Sequence, residues 1–448
     1  MVALGCAALV VAYFVLDMNL SQNLIPKSSN SFSFRERTGQ NRRISASWGP
    51  PPTKSNPAPI SCDRSHHDYD ICSVNGPLTL DQAKPIFYTS GPTGPISDEK
   101  LRPYPRKWES FTMSSIKEVT LVTSAEAEVP PCRVRHDAPA LVFSAGGYTG
   151  NFFHDFNDGF IPLFITINTV YNGSNDVILI ISKAQDWWMR KYAEILRAFS
   201  RHEIVDLDNH KVTHCFTSAT VGLVSHGFMT IDPARIPNGK SFTQFRAILD
   251  KAFSSKGTIE KQSKPLREIR PRLVLATRSG SGGRVIMNQK ELKNAAVQEG
   301  FEVIEFEPTS ATPLQQSYDL LQSSHALVGV HGAALTHILF LRPGSTFLQI
   351  IPIGADWVSE VCFGKPARHL GLDYLQYDVV ANESTLMDKY GADHPLIRDP
   401  AGSRGGWKTE VMSVYLKEQN VKVDLVRFRG YLQKMYSKAK MFIENENK

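Results

Sequence analysis

The chain lacks four features that identify common protein classes: a long basic tract, a Cys/His cluster with zinc spacing, a Gly-x-Ser-x-Gly nucleophile elbow and a P-loop ending in Lys-Ser/Thr. The formal net charge of +6 is mild for 448 residues, so nucleic acid is a poor candidate partner. The composition, 42% hydrophobic and 10% aromatic, is that of a globular protein. The length allows two domains, each with its own core.

The N-terminus carries an uncharged apolar run at residues 2–16. The run has the length of a signal h-region and is slightly short of the ~20 residues that span a bilayer. Extending it would bury Asp17, and no basic flank precedes it. We interpret residues 1–20 as an uncleaved signal anchor, with a cleaved signal peptide as the alternative. Residues 21–60, rich in Ser, Asn, Arg and Pro, are expected to form a flexible stem.

Five cysteines lie in the body that follows the stem. In an oxidising compartment Cys62 and Cys72, which bracket a short loop, form the easiest bridge. Cys132 with Cys215 is a plausible second bridge, which leaves Cys362 as a buried thiol. Spacing alone leaves this connectivity open.

Three Asn-x-Ser sequons bear on the compartment. Asn172 and Asn382 are expected to be glycosylated if the body lies in the secretory lumen. Asn19 is too close to the predicted anchor.

The body alternates short apolar strands with amphipathic helices. Strands are predicted at EVTLVTS, ALVFSA, VILIIS and EIVDL, and, after a linker at residues 256–271, at RLVLATR, FEVIEFE, ALVGVHG and STFLQIIP. Strand, helix, strand at this spacing predicts parallel sheets with right-handed crossovers. The predicted class is α/β, with Rossmann-like domains at residues 61–262 and 263–448 facing a cleft. The second, more regular domain is the expected nucleotide binder.

Residues 144–166 place a glycine turn after an apolar strand and then begin a helix that carries His154, Asp155 and Asp158. Positions four apart share a helix face, so His154 and Asp158 can project together as an acid/base pair. The alternative is that the carboxylates only stabilise the positive helix N-terminus.

A second glycine-rich turn, residues 277–288, follows the strand RLVLATR. Arg278 and Arg284 can reach a pyrophosphate there, with help from the amides of the next helix. The alternative is a plain surface turn.

Small residues Gly332 and Ala333 follow the strand ALVGVHG and allow a ligand to approach the backbone. His331, at the end of that strand, is either part of the site or a buried structural histidine. Glu305 is placed where a ribose hydroxyl could bind.

Two Asp-x-Asp pairs, Asp68 with Asp70 and Asp206 with Asp208, could hold a metal ion on a diphosphate. Such pairs occur by chance, and arginines already serve the phosphates. We therefore expect no metal site and no cofactor.

Together these residues carry a resemblance. GGYTGNFFHDFNDGFIPLFIT, the spacing of Arg278, Arg284 and Asn288, and VGVHGAALTHILFLRPGSTFLQIIP are similar to plant members of glycosyltransferase family 61. CDRSHHDYDIC, RPYPRKWE and DWWMRKYAEILRAFSRHEIVDL extend the resemblance over the body from Cys62 onward. It is nearest to the xylan β-1,2-xylosyltransferases, with xylan arabinofuranosyltransferases as a close branch.

The resemblance implies a GT-B fold, a single-pass type II Golgi membrane protein with a lumenal body, and an inverting reaction without an obligatory metal. The implied donor is UDP-xylose and the implied acceptor is xylan. UDP is expected to bind at Arg278, Arg284, Asn288, Glu305, His331, Gly332 and Ala333. His154 is the expected base, oriented by Asp158, with Asp155 as its substitute. The acceptor is expected to contact Tyr148, Asn151 and Trp187.

One feature departs from this family. A basic cytosolic tail is expected before the anchor and is missing, which puts the start of the chain in doubt. The alternatives are transfer of arabinofuranose from a UDP donor to xylan, an N-glycan core as acceptor, and a non-catalytic lumenal polysaccharide-binding protein.

Overall fold

The computed structural model describes most of the body. The described residues are 59–446, except Gln82, 91–96, 126–128, 255–269 and Gly406. The predicted anchor, nearly all of the predicted stem and the predicted domain boundary after residue 262 lie outside them. Among the described residues, no helix combines the length and the apolar character that a membrane crossing requires.

In the described residues, seventeen strands form three sheets. They are β1 (Ile60–Asp63), β2 (Ile71–Val74), β3 (Leu78–Leu80), β4 (Ile86–Ser90), β5 (Ser97–Leu101), β6 (Val119–Ser124), β7 (Val134–Arg135), β8 (Ala140–Ser144), β9 (Ile178–Ser182), β10 (Val205–Asp206), β11 (His214–Phe216), β12 (Ala219–Val221), β13 (Arg272–Ala276), β14 (Glu302–Phe306), β15 (Ala326–Val330), β16 (Thr346–Ile351) and β17 (Asp373–Asp378).

Helices of three kinds connect and cover the strands. The α-helices are Ser110–Ser114, Phe152–His154, Ile161–Val170, Asp186–Lys191, Ala193–Phe199, Phe242–Phe253, Gln289–Gln298, Leu314–Gln322, Asp356–Ser359, Lys365–His369, Thr385–Tyr390, Pro395–Arg398, Pro400–Arg404, Thr409–Ser413 and Leu425–Glu446. Asp155–Phe160, Glu360–Gly364 and Val414–Glu418 are π-helical. Pro233–Arg235, Pro237–Gly239, Ala333–Phe340 and Ala381–Glu383 are 3₁₀.

The first half contains two mixed sheets rather than one parallel sheet. Sheet 1 has the order β1-β2-β12-β8-β9-β10, and its strands β12, β8, β9 and β10 run parallel. Sheet 2 has the order β5-β6-β4-β3-β11-β7. EVTLVTS forms a strand as predicted, but this strand, β6, pairs with β4 and β5 in sheet 2 and not with the parallel strands of sheet 1. The pairing partners of a short strand depend on distant segments, which periodicity does not report.

The second half contains sheet 3, which is entirely parallel and has the order β14-β13-β15-β16-β17. The residues of β16 are all buried, as expected for a central strand with both faces covered. In register, Ala276 of β13 faces Phe306 of β14 and Gly329 of β15. The carboxyl ends of these three strands therefore meet at one edge, where the turns at residues 277–288 and 331–333 follow.

One hydrophobic core joins the halves. Phe164 of the first half packs on Phe245 at 5.5 Å between ring centroids, and Phe253 packs on Phe340 of the second half at 5.8 Å. A smaller core lies between sheets 1 and 2. The halves thus pack directly on each other.

The cysteines and sequons have these positions. Cys62 and Cys72 face each other on β1 and β2 and form a disulfide. Cys132 is bonded to Cys215 of β11. Cys362 is a free thiol, and its burial raises its pKa to about 12. Asn172 and Asn382 are both exposed.

Candidate active site

The first part of the site is the helix that follows the glycine turn. It begins at Phe152, and Asn151 caps it by accepting a hydrogen bond from the Phe153 amide at 3.0 Å. The next six residues, Asp155–Phe160, form a π-helical segment. Such segments are frequent at functional sites. Here the segment carries two almost fully buried carboxylates.

His154 and Asp158 contact each other as their spacing predicts. Nδ1 of His154 lies 2.8 Å from Oδ2 of Asp158, and the imidazole keeps 20% of its surface exposed. Arg106 donates from Nε to both oxygens of Asp158 at 3.1 Å. Tyr104 donates to the same carboxylate at 2.9 Å. Burial opposes ionisation of Asp158, but the hydrogen bond to His154 and the charge of Arg106 outweigh it and lower its pKa.

These contacts assign the tautomer of His154. An ionised Asp158 can only accept, so Nδ1 of His154 carries the proton of that bond. Nη2 of Arg106 lies 3.1 Å from the same nitrogen but is a donor too, so it adds no bond in this state. Nε2 of His154 is therefore left with a free electron pair. The cluster can accept a proton at Nε2 and hold the resulting imidazolium beside a carboxylate.

Arg106 was not identified from the sequence and is the centre of the cluster. It is 5% exposed, and its ion pair with Asp158 raises its pKa although burial opposes this. Its guanidinium also lies 5.3 Å from the ring of Tyr148, which stacks on His154 at 4.5 Å. Tyr148 donates to Glu109 at 3.0 Å. The motif RPYPRKWE contains this arginine, but nothing in its local pattern indicates a partner 48 residues away.

Asp155 has a supporting position instead of the predicted role as substitute base. It is 3% exposed, and its oxygens accept from Tyr192 at 2.7 Å, from Trp188 at 3.1 Å and from the Gly150 amide at 3.2 Å. Burial raises the pKa of Asp155, although these hydrogen bonds act to lower it. Asp155 ties the glycine turn to the helices at residues 186–199 and presents no free oxygen to a substrate.

The second part of the site is a pair of arginines at the edge of sheet 3. A Cβ placed on Gly332 would lie 2.9 Å from Nη2 of Arg278 and 3.2 Å from Nη1 of Arg284, so both guanidiniums converge over this glycine. Arg284 donates to the His331 carbonyl at 3.1 Å, and its Nε is buried without a hydrogen-bond partner in the described chain. Burial, then repulsion from Arg278, lowers the pKa of Arg284 to about 10.

His331 supports this pair. Its ring is 6% exposed and contacts Gln349 at 3.1 Å and Ser359 at 3.0 Å through Nδ1. Burial, followed by the charges of Arg284 and Arg278, lowers its pKa to about 3. A neutral His331 therefore adds no third positive charge. The two crowded guanidiniums form an electropositive pocket that a diphosphate would neutralise.

A cavity of about 350 Å³ lies between the start of the helix that carries His154 and the turn that carries Arg278; His154 and Arg284 are not among its lining residues. Asn151, Phe152 and Lys191 line it from the first half, and Arg278, Ser279, Glu307, Ala333 and His337 are among the residues that line it from the second. Phe152 stacks on His337 at 4.2 Å, and Lys191 donates to the Ser310 carbonyl at 3.3 Å. Lys191 was not identified from the sequence.

A short path of ring contacts links the His154 cluster to the arginine pair. Phe153 lies 5.2 Å from His154 and 5.7 Å from Phe363, and Phe363 lies 5.3 Å from His331, all between ring centroids. The His331 carbonyl then binds Arg284. Packed, buried or half-buried side chains thus connect the imidazole to the guanidiniums.

Two residues predicted to bind the donor have structural partners. Asn288 exchanges two hydrogen bonds with the backbone of Val423, at 2.8 and 3.0 Å. Glu305 is bound by Gln289 and Lys293 on the covering helix, each at 2.8 Å. Glu307, just beyond the end of β14, reaches the cavity instead and accepts from Ser279.

Trp187 lies at a second cavity, of about 210 Å³. Gly147 and Thr149 of the glycine turn also line this cavity. The indole is 37% exposed and donates to Gln185 at 2.6 Å. Tyr148, by contrast, lies directly beside His154.

The Asp-x-Asp pairs have other partners. Asp206 accepts from the Asp208 amide at 2.8 Å, and Asp208 pairs with Lys117. Asp70 pairs with Lys107 at 2.7 Å. Within the described ranges, no three His, Cys, Asp or Glu residues are grouped so that they could hold a metal ion.

Comparison with known families gives a match over the site. A family model described as glycosyltransferase 61 matches residues 152–348, which contain both His154 and the arginine pair.

Curated relatives are similar over most of the chain. The xylan glycosyltransferase MUCI21 of Arabidopsis thaliana is 39% identical over 89% of this chain and 84% of its own length. The beta-1,2-xylosyltransferase XYXT1 of Oryza sativa subsp. japonica is 35% identical, over 84% of this chain and 83% of its own length. The alpha-1,3-arabinosyltransferase XAT3 of the same rice is also 35% identical, over 83% of this chain and 64% of its own length.

Proposed function

This chain belongs to glycosyltransferase family 61 and is a glycosyltransferase, and from that premise we propose that it transfers xylose from UDP-xylose to the xylan backbone as a β-1,2-linked side chain. The observation that carries the proposal is the cavity itself. Arg278 lines one wall, with Arg284 beside it, and the helix that carries His154 begins at the other wall. This arrangement supports anion binding at the Arg278 wall, with the proton acceptor His154 two residues beyond Phe152, which lines the opposite wall.

The donor half of the proposal rests on the arginine pair. UDP places its diphosphate between Arg278 and Arg284, over the backbone at Gly332 and Ala333. Its charge relieves the mutual repulsion of the guanidiniums, and Nε of Arg284 gains the partner that it lacks. Glu307, at the edge of the same cavity, accepts hydrogen bonds from the ribose hydroxyls.

The catalytic step of the proposal depends on His154. Its Nε2 takes the proton of the acceptor hydroxyl, whose oxygen forms the new bond to C1 of the sugar as the bond from C1 to UDP breaks. The electron pair leaves with UDP, and the arginines stabilise the charge. Asp158 stabilises the imidazolium. A single displacement inverts C1, and the guanidiniums supply the positive charge without a metal.

The choice of acceptor and sugar rests on the relatives. Two of them are named for xylan or for β-1,2-xylosyl transfer, which favours xylose and xylan. A third, also 35% identical, is an α-1,3-arabinosyltransferase, so transfer of arabinofuranose from a UDP donor to xylan is the second candidate.

The proposal also covers the cellular location and the membrane topology. We assign the protein to the Golgi as a single-pass type II membrane protein with a GT-B body of two Rossmann-like domains. The parallel strands of sheets 1 and 3, the two disulfides and the exposed Asn172 and Asn382 support a lumenal body of this kind. The predicted anchor, residues 1–20, lies outside the described residues.

The donor can be identified in one assay. The purified full-length protein is incubated with a xylo-oligosaccharide and a panel of UDP-sugars, and the product is analysed by mass and linkage. We expect a β-1,2-linked xylosyl product. An arabinosyl product would select the second candidate, and binding of xylan without turnover would refute both.

His154→Ala tests the base. The variant should lose transfer and keep the affinity for UDP, because its imidazole touches the acceptor side only. His202→Ala is the matched control, since His202 forms another His–Asp pair, with Asp176 at 2.6 Å, on the protein surface. Substantial residual transfer by His154→Ala would exclude His154 as the base.

A further inference from the structure

A group of four aromatic rings, three exposed and one half-buried, lies beside the candidate active site. We call it the aromatic ledge, and it consists of Trp108, Phe228, Trp357 and Trp407. The ring of Trp357 lies 6.3 Å from Trp407 and 6.4 Å from Phe228. The guanidinium of Arg106 lies between Phe228, at 5.3 Å, and Trp108, at 5.7 Å. The ledge therefore extends from the second half of the chain to the arginine that binds the catalytic pair.

The exposure of these rings is unusual. Trp108, Trp357 and Trp407 are 46%, 44% and 52% exposed, whereas Trp188 in the core is 2% exposed. Indole rings are highly buried on average, because burial of their large apolar surface is favourable. Several exposed rings in one group mark a surface that binds something.

The ledge is held in place and contains polar groups. Trp357 is the second residue of the short helix Asp356–Ser359 that follows β16, and its neighbour Asp356 pairs with Arg404 at 3.4 Å. Arg404 ends the helix Pro400–Arg404, just before Trp407. This ion pair ties the two tryptophan-bearing segments together. Charged groups therefore lie next to the ledge at two places, at Arg106 and at this ion pair.

We propose that the aromatic ledge binds the pyranose backbone of the acceptor polysaccharide beyond the sugar residue that reacts. A pyranose presents a C–H face to an aromatic ring and hydroxyls around its edge, which suits rings that have charged groups next to them. Arg106 lies beside both Phe228 and Trp108 and contacts His154, so a chain lying on the ledge passes close to His154. The inference rests on the proposed function, because it takes xylan as the acceptor.

The test compares short and long acceptors. The double variant Trp357→Ala/Trp407→Ala should raise KM for long xylo-oligosaccharides about tenfold, since each stacked ring contributes roughly 0.5–1.5 kcal/mol. Its kcat, its KM for short acceptors and its UDP affinity should be unchanged. Trp357→Phe/Trp407→Phe keeps the ring faces and should restore most of the length dependence. Met441→Ala, at an apolar position that is 60% exposed on the helix Leu425–Glu446, is the surface control.

A second measurement separates this inference from the proposed function. His154→Ala, which should not turn over, is titrated with xylo-oligosaccharides with and without the two tryptophan substitutions. If His154→Ala binds long xylo-oligosaccharides equally well with and without the tryptophan substitutions, the inference about the ledge is wrong, even if the enzyme transfers xylose. Failure of the wild-type protein to glycosylate xylan would instead refute the proposed function. Loss of a copurifying protein, with polysaccharide binding unchanged, would make the ledge a protein interface and overturn the inference.

Discussion

Replacement of Arg284 by glutamine should raise the free energy of unfolding of the UDP-free protein and weaken its binding of UDP. Burial and the neighbouring Arg278 lower the pKa of Arg284 from its usual 12.5 to about 10. A lowering of this size means that the folded protein disfavours the charged form by ~3 kcal/mol. A neutral glutamine removes this cost but loses the bond to the His331 carbonyl, which contributes about 0.5–1.5 kcal/mol. We expect the free energy of unfolding to rise by about 1.5–2.5 kcal/mol.

The same substitution should weaken the binding of UDP. A charge-assisted hydrogen bond contributes about 1.5–3 kcal/mol, so its loss should raise Kd roughly 10- to 100-fold. UDP at 100 times the wild-type Kd stabilises the wild-type protein by about 2.7 kcal/mol. The same concentration should stabilise Arg284→Gln by only about 0.4–1.4 kcal/mol.

The assay is chemical denaturation with and without UDP, with Arg272→Gln as the control. Arg272 lies at the opposite end of β13 and pairs with Glu302 at 3.4 Å. Its replacement should leave the UDP effect unchanged. The reasoning is refuted if Arg284→Gln keeps the full stabilisation by UDP, or if it is less stable than the wild type in the absence of UDP.

Two further predictions follow from the site. Asp158→Asn removes the carboxylate that binds buried Arg106 at 3.1 Å and leaves it the more distant carboxylate of Glu109, at 3.7 Å; the variant should be about 3 kcal/mol less stable in urea denaturation near neutral pH. The pKa of Asp158 in the folded protein lies below its usual 3.8. The stability that the ionised Asp158 contributes is therefore present above pH 3.8 and is lost as the pH falls through the lower folded-state pKa. An Asp158→Asn variant as stable as the wild type at pH 7 would contradict this prediction. Transfer should persist in excess EDTA, whereas loss that Mn²⁺ restores would point back to Asp206 and Asp208.

Local patterns predicted a large part of this site. The helix after the glycine turn and the four-residue spacing of His154 and Asp158 are local, because one helix turn brings such positions together. The position of Arg278 and Arg284 in the turn after β13 could also be predicted, because that turn directly follows the strand in the chain.

Other predicted residues depend on contacts that no local pattern contains. Asn288 binds Val423, 135 residues later in the chain. The strand β14 ends at Phe306, so Glu307 reaches the cavity while Glu305 lies under the helix Gln289–Gln298. A small shift in where a strand ends thus changes which carboxylate meets the ligand.

The sequence by itself determined the parallel order of sheet 3, the glycine turns and the residue types that could bind a diphosphate or carry a proton, since these follow from apolar periodicity and neighbours in the chain. Only the tertiary structure decided that Arg106 binds Asp158, that the two later arginines converge over Gly332, and that the exposed Trp108 lies beside Arg106. These arrangements form when the two halves pack around one core, and the contacts that make them join residues far apart in the chain.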